Sequence, residues 1–399
     1  MKTTIKLAVA SALLAAASSA SAAGGIVAGD WTLDIGGNVN AYYTSTRMSG
    51  DFKPAAGLDN TTNNITTGLL PNFLNVSGKT RQNDLDVAFT IGLQPGGAQS
   101  NALSGGSASE HRQAFLTFGD KSWGSIKLGK DLGIYASDAI LSDMTLLGVG
   151  HGAAGVGTTT LGRIGAGYMY ADWKSQVAYS SPNWNGFSFT AGVTQSWNAT
   201  NDAGSISPVP GTSATSTARG GSAPAFEGKA SYEWAGDVAG KVWVSGISQN
   251  VDFAAAIGDE TAKAFDIGAN VNVAGFGLTA YYSKGDGTGQ TALLNNGFDA
   301  LGKSRDSDDW YVQGTYTLPG VGTKLGLSYG ESNLDGNSTD TFNDNEVQMW
   351  TAGVYHPLTK HLNLVAEYSD KDVETSAALV ANRFDGSQKT ISAGAILFF

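Results

Sequence analysis

The chain has 399 residues with 24 basic and 35 acidic side chains, a formal net charge of −11, and no cysteine. That balance excludes a nucleic-acid partner, whose phosphates need a basic face, and the missing cysteines exclude a disulfide framework. Glycine, at 54 residues, is about twice its usual share, a composition of turns and strands rather than helices.

The first segment reads as an address. Met1-Lys-Thr-Thr-Ile-Lys6 is basic, Leu7 to Ala17 is apolar, and Ala20-Ser21-Ala22 is a small-x-small cleavage site, which predicts a secretory signal peptide over 1–22 and a single folded unit over 23–399. No later stretch holds the run of about 18 apolar residues that a transmembrane helix needs.

From Trp31 onward the chain alternates. Leu33, Ile35, Val39 and Ala41 are interleaved with Asp34, Asn38 and Asn40. Leu85, Val87, Phe89, Ile91 and Leu93 repeat the pattern, as do Phe226, Ala230 and Tyr232 opposite Glu227, Lys229 and Glu233. Phe265, Ile267, Ala269 and Val271 face away from Asp266 and Asn270, and the chain ends on Ile391, Ala393, Ala395, Leu397 and Phe399. Each such segment is a strand with one apolar and one wet face. Sixteen of them start near residues 31, 72, 84, 109, 124, 165, 186, 226, 240, 263, 276, 309, 323, 346, 361 and 388. Short turns such as Gly78 to Gln82 and Ala274-Gly275 alternate with long polar loops such as Thr44 to Pro71 and Asn198 to Pro224.

An even strand number, short turns at one end and long loops at the other describe an all-β, sixteen-stranded transmembrane antiparallel barrel of the outer membrane. Trp31, Tyr43, Tyr282, Trp310 and Phe399 fall at strand ends, where aromatic girdles belong. A soluble sandwich of this length would divide into domains, and a solenoid would keep a fixed repeat. One connection, 131–162, is much longer than most and rich in Ala, Leu and Gly. Long loops in a regular scaffold carry function, so this one is expected to fold into the lumen and narrow it.

Arg112-Gln-Ala-Phe-Leu-Thr-Phe118 followed by Trp123-Gly-Ser-Ile-Lys-Leu-Gly-Lys130 resembles the fourth and fifth strands of Gram-negative general porins. Gly162-Arg-Ile-Gly165, Ser175 to Pro182 and Tyr355-His-Pro-Leu-Thr-Lys360 resemble later parts of the same family, and the terminal Phe399 resembles the signal read by barrel-assembly machinery. The resemblance implies a homotrimer in contact with outer-membrane lipid and lipopolysaccharide, without cofactor, metal or catalysis, that lets ions and small hydrophilic solutes diffuse passively. It also implies an eyelet in which acids on the third loop oppose a basic wall. Carried over position by position, Arg112 and Arg163 match wall arginines, Lys130 a base at the top of the fifth strand and Asp143 a loop acid, with Asp131, Tyr135 and Asp138 in the same loop. Two departures thin this eyelet: Phe73 stands where many members have a wall arginine, and Asp143-Met-Thr-Leu-Leu-Gly148 lacks the usual second acid. The altered eyelet leaves open a channel preferring one class of solute, and the long loops leave open a structural or adhesive barrel.

Strict alternation from Arg112 to Phe118 puts Arg112 on the side of Leu116. A charge facing lipid near mid-bilayer costs about 2–4 kcal/mol, so Arg112 is expected inside, with Leu116 beside it. Gly150-His-Gly-Ala-Ala-Gly155 matches a dinucleotide fingerprint in letters only, because no helix follows. Gly326-Leu-Ser-Tyr-Gly330 matches a nucleophile elbow but sits inside a strand, so Ser328 reads as an inward strand serine. Asp306, Asp308 and Asp309, and the acids of Asp335 to Glu346, read as solvated outer-loop groups, with divalent-cation binding a lesser alternative.

Overall fold

The computed structural model describes residues 25–95, 109–151, 159–201, 204–205, 223–253, 258–299, 301–338, 340–377 and 379–399. The expected signal peptide 1–22, part of the 198–224 loop and most of the Gly150–Gly155 motif lie outside the described residues. Sixteen strands form the wall: β1 Trp31–Gly50, β2 Phe73–Gln82, β3 Leu85–Pro95, β4 Ala114–Asp120, β5 Gly124–Leu132, β6 Trp173–Ser180, β7 Phe187–Thr194 and β8 Ala225–Trp234, then β9 Val238–Asp252, β10 Asp259–Val273, β11 Phe276–Asp286, β12 Asp306–Thr317, β13 Lys324–Asp335, β14 Asp344–Pro357, β15 Leu362–Ser376 and β16 Phe384–Phe398. Each pairs antiparallel with its neighbours, and β16 pairs back onto β1 from Phe398 opposite Asn38 to Gly386 opposite Gly50, which closes the sheet. Closure leaves no edge strand unpaired, the condition for a sheet in lipid.

The period-2 pattern decides which face is which. On β1, Ile35, Val39 and Tyr43 are about half exposed, whereas Asn38, Asn40 and Thr44 are buried. On β10, Phe265 and Ile267 point out and Asp266 points in; on β12, Val312 points out and Tyr311 and Gln313 point in. The outer surface is the apolar one, the reverse of a soluble protein. Aromatic pairs such as Phe276–Tyr316 and Trp350–Tyr368 edge it.

Three local expectations change. The turn between β2 and β3 is Asn83-Asp84, both at positive φ (49° and 63°), and Gly78 to Gln82 are strand. Two central residues at positive φ match the right-handed twist of a tight hairpin. The sixth strand starts at Trp173 rather than near 165. Gly165 and Gly167 take positive φ, and Gly165 N–H and Ala166 N–H bond within the segment, to Tyr168 O and Arg163 O, so that stretch turns instead of extending. The long connection therefore runs past Gly162 to Asp172, closed at its base by Gly133 N–H donating to Asp172 O at 2.8 Å.

The third change concerns Leu116. Ile91 pairs with Ala114 but Gln94 pairs with Glu110, so three steps on β3 face four on the partner. That extra residue is a bulge, and it shifts the alternation by one. Arg112 joins the buried face with Gln94, while Leu116 stays outside at 43% exposure. No lumen-facing Leu116 is needed.

Candidate pore constriction

The described residues of the 133–172 segment pack against the inward side chains of β8 to β15. Ile134 N–H and Tyr135 N–H donate to Glu227 Oε2 of β8 at 2.7 and 2.9 Å, and Ala136 N–H donates to Ser245 Oγ of β9. Glu227 also receives Lys174 Nζ of β6 and the Thr194 hydroxyl. A buried carboxylate is tolerated only when each oxygen is occupied in this way.

A short helix, α1 (Ser137–Ser142), follows. Asp138, in its first turn, accepts from Lys229 Nζ at 3.0 Å and Lys241 Nζ at 2.6 Å. Burial raises the Asp138 carboxyl, but the two ammonium groups outweigh it and hold it below the usual carboxylate range. Tyr311 of β12 donates to Ala139 O, and Gln313 spans the helix end, accepting from Met144 N–H and donating to Ser142 O. Asp143 accepts from Thr145 N–H and Oγ1 and from the Tyr168 hydroxyl at 2.8 Å.

The segment is held at its far side by a second carboxylate. Glu367 Oε2 of β15 accepts from Val149 N–H and Gly150 N–H at 2.7 and 2.8 Å, and Oε1 accepts from Tyr355. Gly148 makes room, since a Cβ there would run into the Glu367 carboxylate. Arg163 is fully buried and donates to Ala166 O, Met349 O and Ser328 Oγ. His151 is buried with Nε2 3.2 Å from Ile164 O. Burial, reinforced by Lys371 and Arg163, holds its imidazole well below the ordinary range.

The strands β2 to β4 receive none of these anchors. Between them and the segment lies a cavity of about 580 Å³, bordered on the wall by Asn75, Gln94, Glu110, Arg112 and Gln113 and on the segment by Ile140, Leu141, Leu146, Leu161 and Ile164. Arg112 Nε donates to Glu110 at 2.7 Å, and the guanidinium lies 5.8 Å from the Trp173 ring centroid.

The residues anticipated for the eyelet thus separate. Arg112 borders the cavity. Asp131 lies on the wall, accepting from Gln113 Nε2 at 3.0 Å and paired with Lys127. Lys130 touches the cavity at its strand end, but its register, opposite Ala114 and Ser175, is that of the outer residues Leu116 and Val177. Arg163 is on the segment, not the wall; Asp138 and Tyr135 face β8 to β12, Asp143 bonds within the segment to Thr145 and Tyr168, and none of these three lines the cavity. Asp309, expected in a solvated loop, is buried on β12 and accepts from Ser283 and Ser332, because β12 begins earlier than its alternation suggests. Sequence reasoning missed Glu227, Glu367 and Gln313; their one signal is a polar residue on the wet face of a strand, which dozens of others share.

A closed barrel, apolar outside and polar inside, with a segment packed in its interior and a cavity beside it, is an outer-membrane channel. The model of the Gram-negative porin family matches residues 8–376, and the chain belongs to that family. It is a multi-pass outer-membrane protein through which ions and small hydrophilic solutes diffuse passively. Its fold is similar to that of the outer membrane channel DcaP of Acinetobacter baumannii (16% identity over 93% of this chain and 99% of that one, TM-score 0.65). It is also similar to an anion-selective porin from Comamonas acidovorans (15%, 92% and 100%, 0.62) and to a trimer form of OmpT from Vibrio cholerae (14%, 92% and 99%, 0.51). No curated protein sequence matches the chain.

Proposed function

We propose that solutes cross the barrel through the cavity beside β2 to β4, that the 133–172 segment sets its width, and that Arg112 is the main fixed cation met there, with Glu110 and Asp172 as its neighbouring acids. The observation that carries this is the one-sided anchoring: the segment is bonded to β8 to β15 and leaves the opposite wall open. A fixed cation in a narrow path favours anions. Three copies assembling side by side is the companion reading, supported by the trimer form of a structural neighbour. Lipid and lipopolysaccharide would meet the apolar band, and barrel-assembly machinery would read the last strand, where Leu397 and Phe399 are both 41% exposed.

The test is purified protein in a planar bilayer under a KCl gradient. Large ohmic steps closing in thirds are expected, with a reversal potential that moves toward cations in Arg112→Ala. Silence from a folded barrel would reject the open path, and an unmoved reversal potential would remove Arg112 from it.

A further inference from the structure

We propose that the cavity prefers amphipathic organic anions, a carboxylate on an apolar, ring-sized body, over equally small hydrophilic ones. This rests on reading the cavity as the solute path. Its two sides differ in kind. The segment contributes leucine and isoleucine, with Leu141 and Leu161 only partly buried, joined by Leu69 and Leu70 from the first loop. Asp138 is turned to Lys229 and Lys241, and Asp143 to Thr145 and Tyr168, so of the segment's acids only Asp172, at its end beside Trp173, borders the cavity. An apolar surface beside water is left for a solute to cover.

The opposite wall is polar and partly unpaired. Arg112 uses Nε on Glu110, and its two terminal amino groups have no hydrogen-bond partner among the described residues. A planar fork with two free N–H edges matches a carboxylate in bidentate geometry. Asn75, buried on the same wall, donates from Nδ2 to Gln113, while its Oδ1 has no partner. Trp173, stacked near the Arg112 guanidinium, gives an aromatic body a flat surface next to the charge. A small inorganic anion uses only the arginine; a solute such as benzoate uses both sides at once.

The experiment adds benzoate, acetate or benzyl alcohol to single channels carrying KCl current. Benzoate is expected to interrupt the current at a concentration at least tenfold below acetate, with benzyl alcohol ineffective in that range. In Leu141→Ser/Leu161→Ser the benzoate-to-acetate ratio should fall toward one, and in Arg112→Gln benzoate block should weaken severalfold. Equal block by acetate and benzoate, or by benzyl alcohol and benzoate, overturns the preference and leaves the channel standing. Interruption of benzoate block unchanged in both variants places it elsewhere and overturns the site. Absence of any KCl current rejects the path itself.

Discussion

The two halves of the barrel interior treat the same segment in opposite ways. Against β8 to β15 it is bonded through charge: Glu227 and Glu367 each take two backbone N–H groups, and Asp138 takes two lysines. Even the small residues are arranged for this. Ser245, Asp266, Ser283, Asp309 and Ser332 follow one another across five strands in register, and the first and last receive Ala136 N–H and Gly167 N–H. Against β2 to β4 the segment offers leucine and isoleucine and makes no comparable bond. Anchoring has used Asp138, one of the acids anticipated for the open side. The barrel therefore gains a fixed loop, and the charges left beside the cavity are Arg112 and Lys130 with Glu110 and Asp172.

Glu227→Ala should damage the packed half most. It strands Lys174 without its partner and two N–H groups without an acceptor, and removing one member of a buried pair costs about 3–5 kcal/mol. Thermal unfolding of the purified protein should fall clearly, and single-channel current should become noisy. Arg163→Ala should also lower thermal stability, by about 2–4 kcal/mol for a buried, charge-assisted network, yet leave the reversal potential where it was. A reversal potential that shifts as far as in Arg112→Ala would put Arg163 back in the path.

Acid should loosen the far anchor next. The His151 imidazole is held well below its ordinary range by burial, so the docked segment binds no proton there while a released segment does. Below about pH 6.5 each further pH unit favours release by about 1.4 kcal/mol until the docked imidazole itself titrates. Gating frequency should rise from pH 6.5 to 4.5, and His151→Gln should flatten that rise. Asp138 acts later: its carboxyl is depressed, so its contribution persists through this range and is lost only as pH falls through its lowered value. Asp138→Asn at neutral pH should cost about 1–3 kcal/mol of docking and increase flicker, with little effect on ion preference because it faces away from the cavity.

The wall was legible. Alternation at Leu33 to Ala41 or Phe265 to Val271 is a local property, since one face of each strand meets lipid whatever its partner is. Turn positions were less so: Asn83-Asp84 was hidden beside Gly78, and Gly165 to Tyr170 alternates in letters while its glycines turn the chain. The inward placement of Arg112 was legible, and the surroundings of Asp138 and Asp143 were not, because residue type suggested exposure and the fold supplied partners.

The sequence by itself determined the all-β class, the sixteen-strand wall, the short and long ends and the one outsized connection, because strand period and turn chemistry act over a few residues. Only the tertiary structure decided where the charges go. Asp138 meets Lys229 and Lys241 across 91 and 103 positions, and Val149 meets Glu367 across 218. Such pairs form when a closed barrel brings a mid-chain loop against distant strands, and no local pattern selects one inward carboxylate over another.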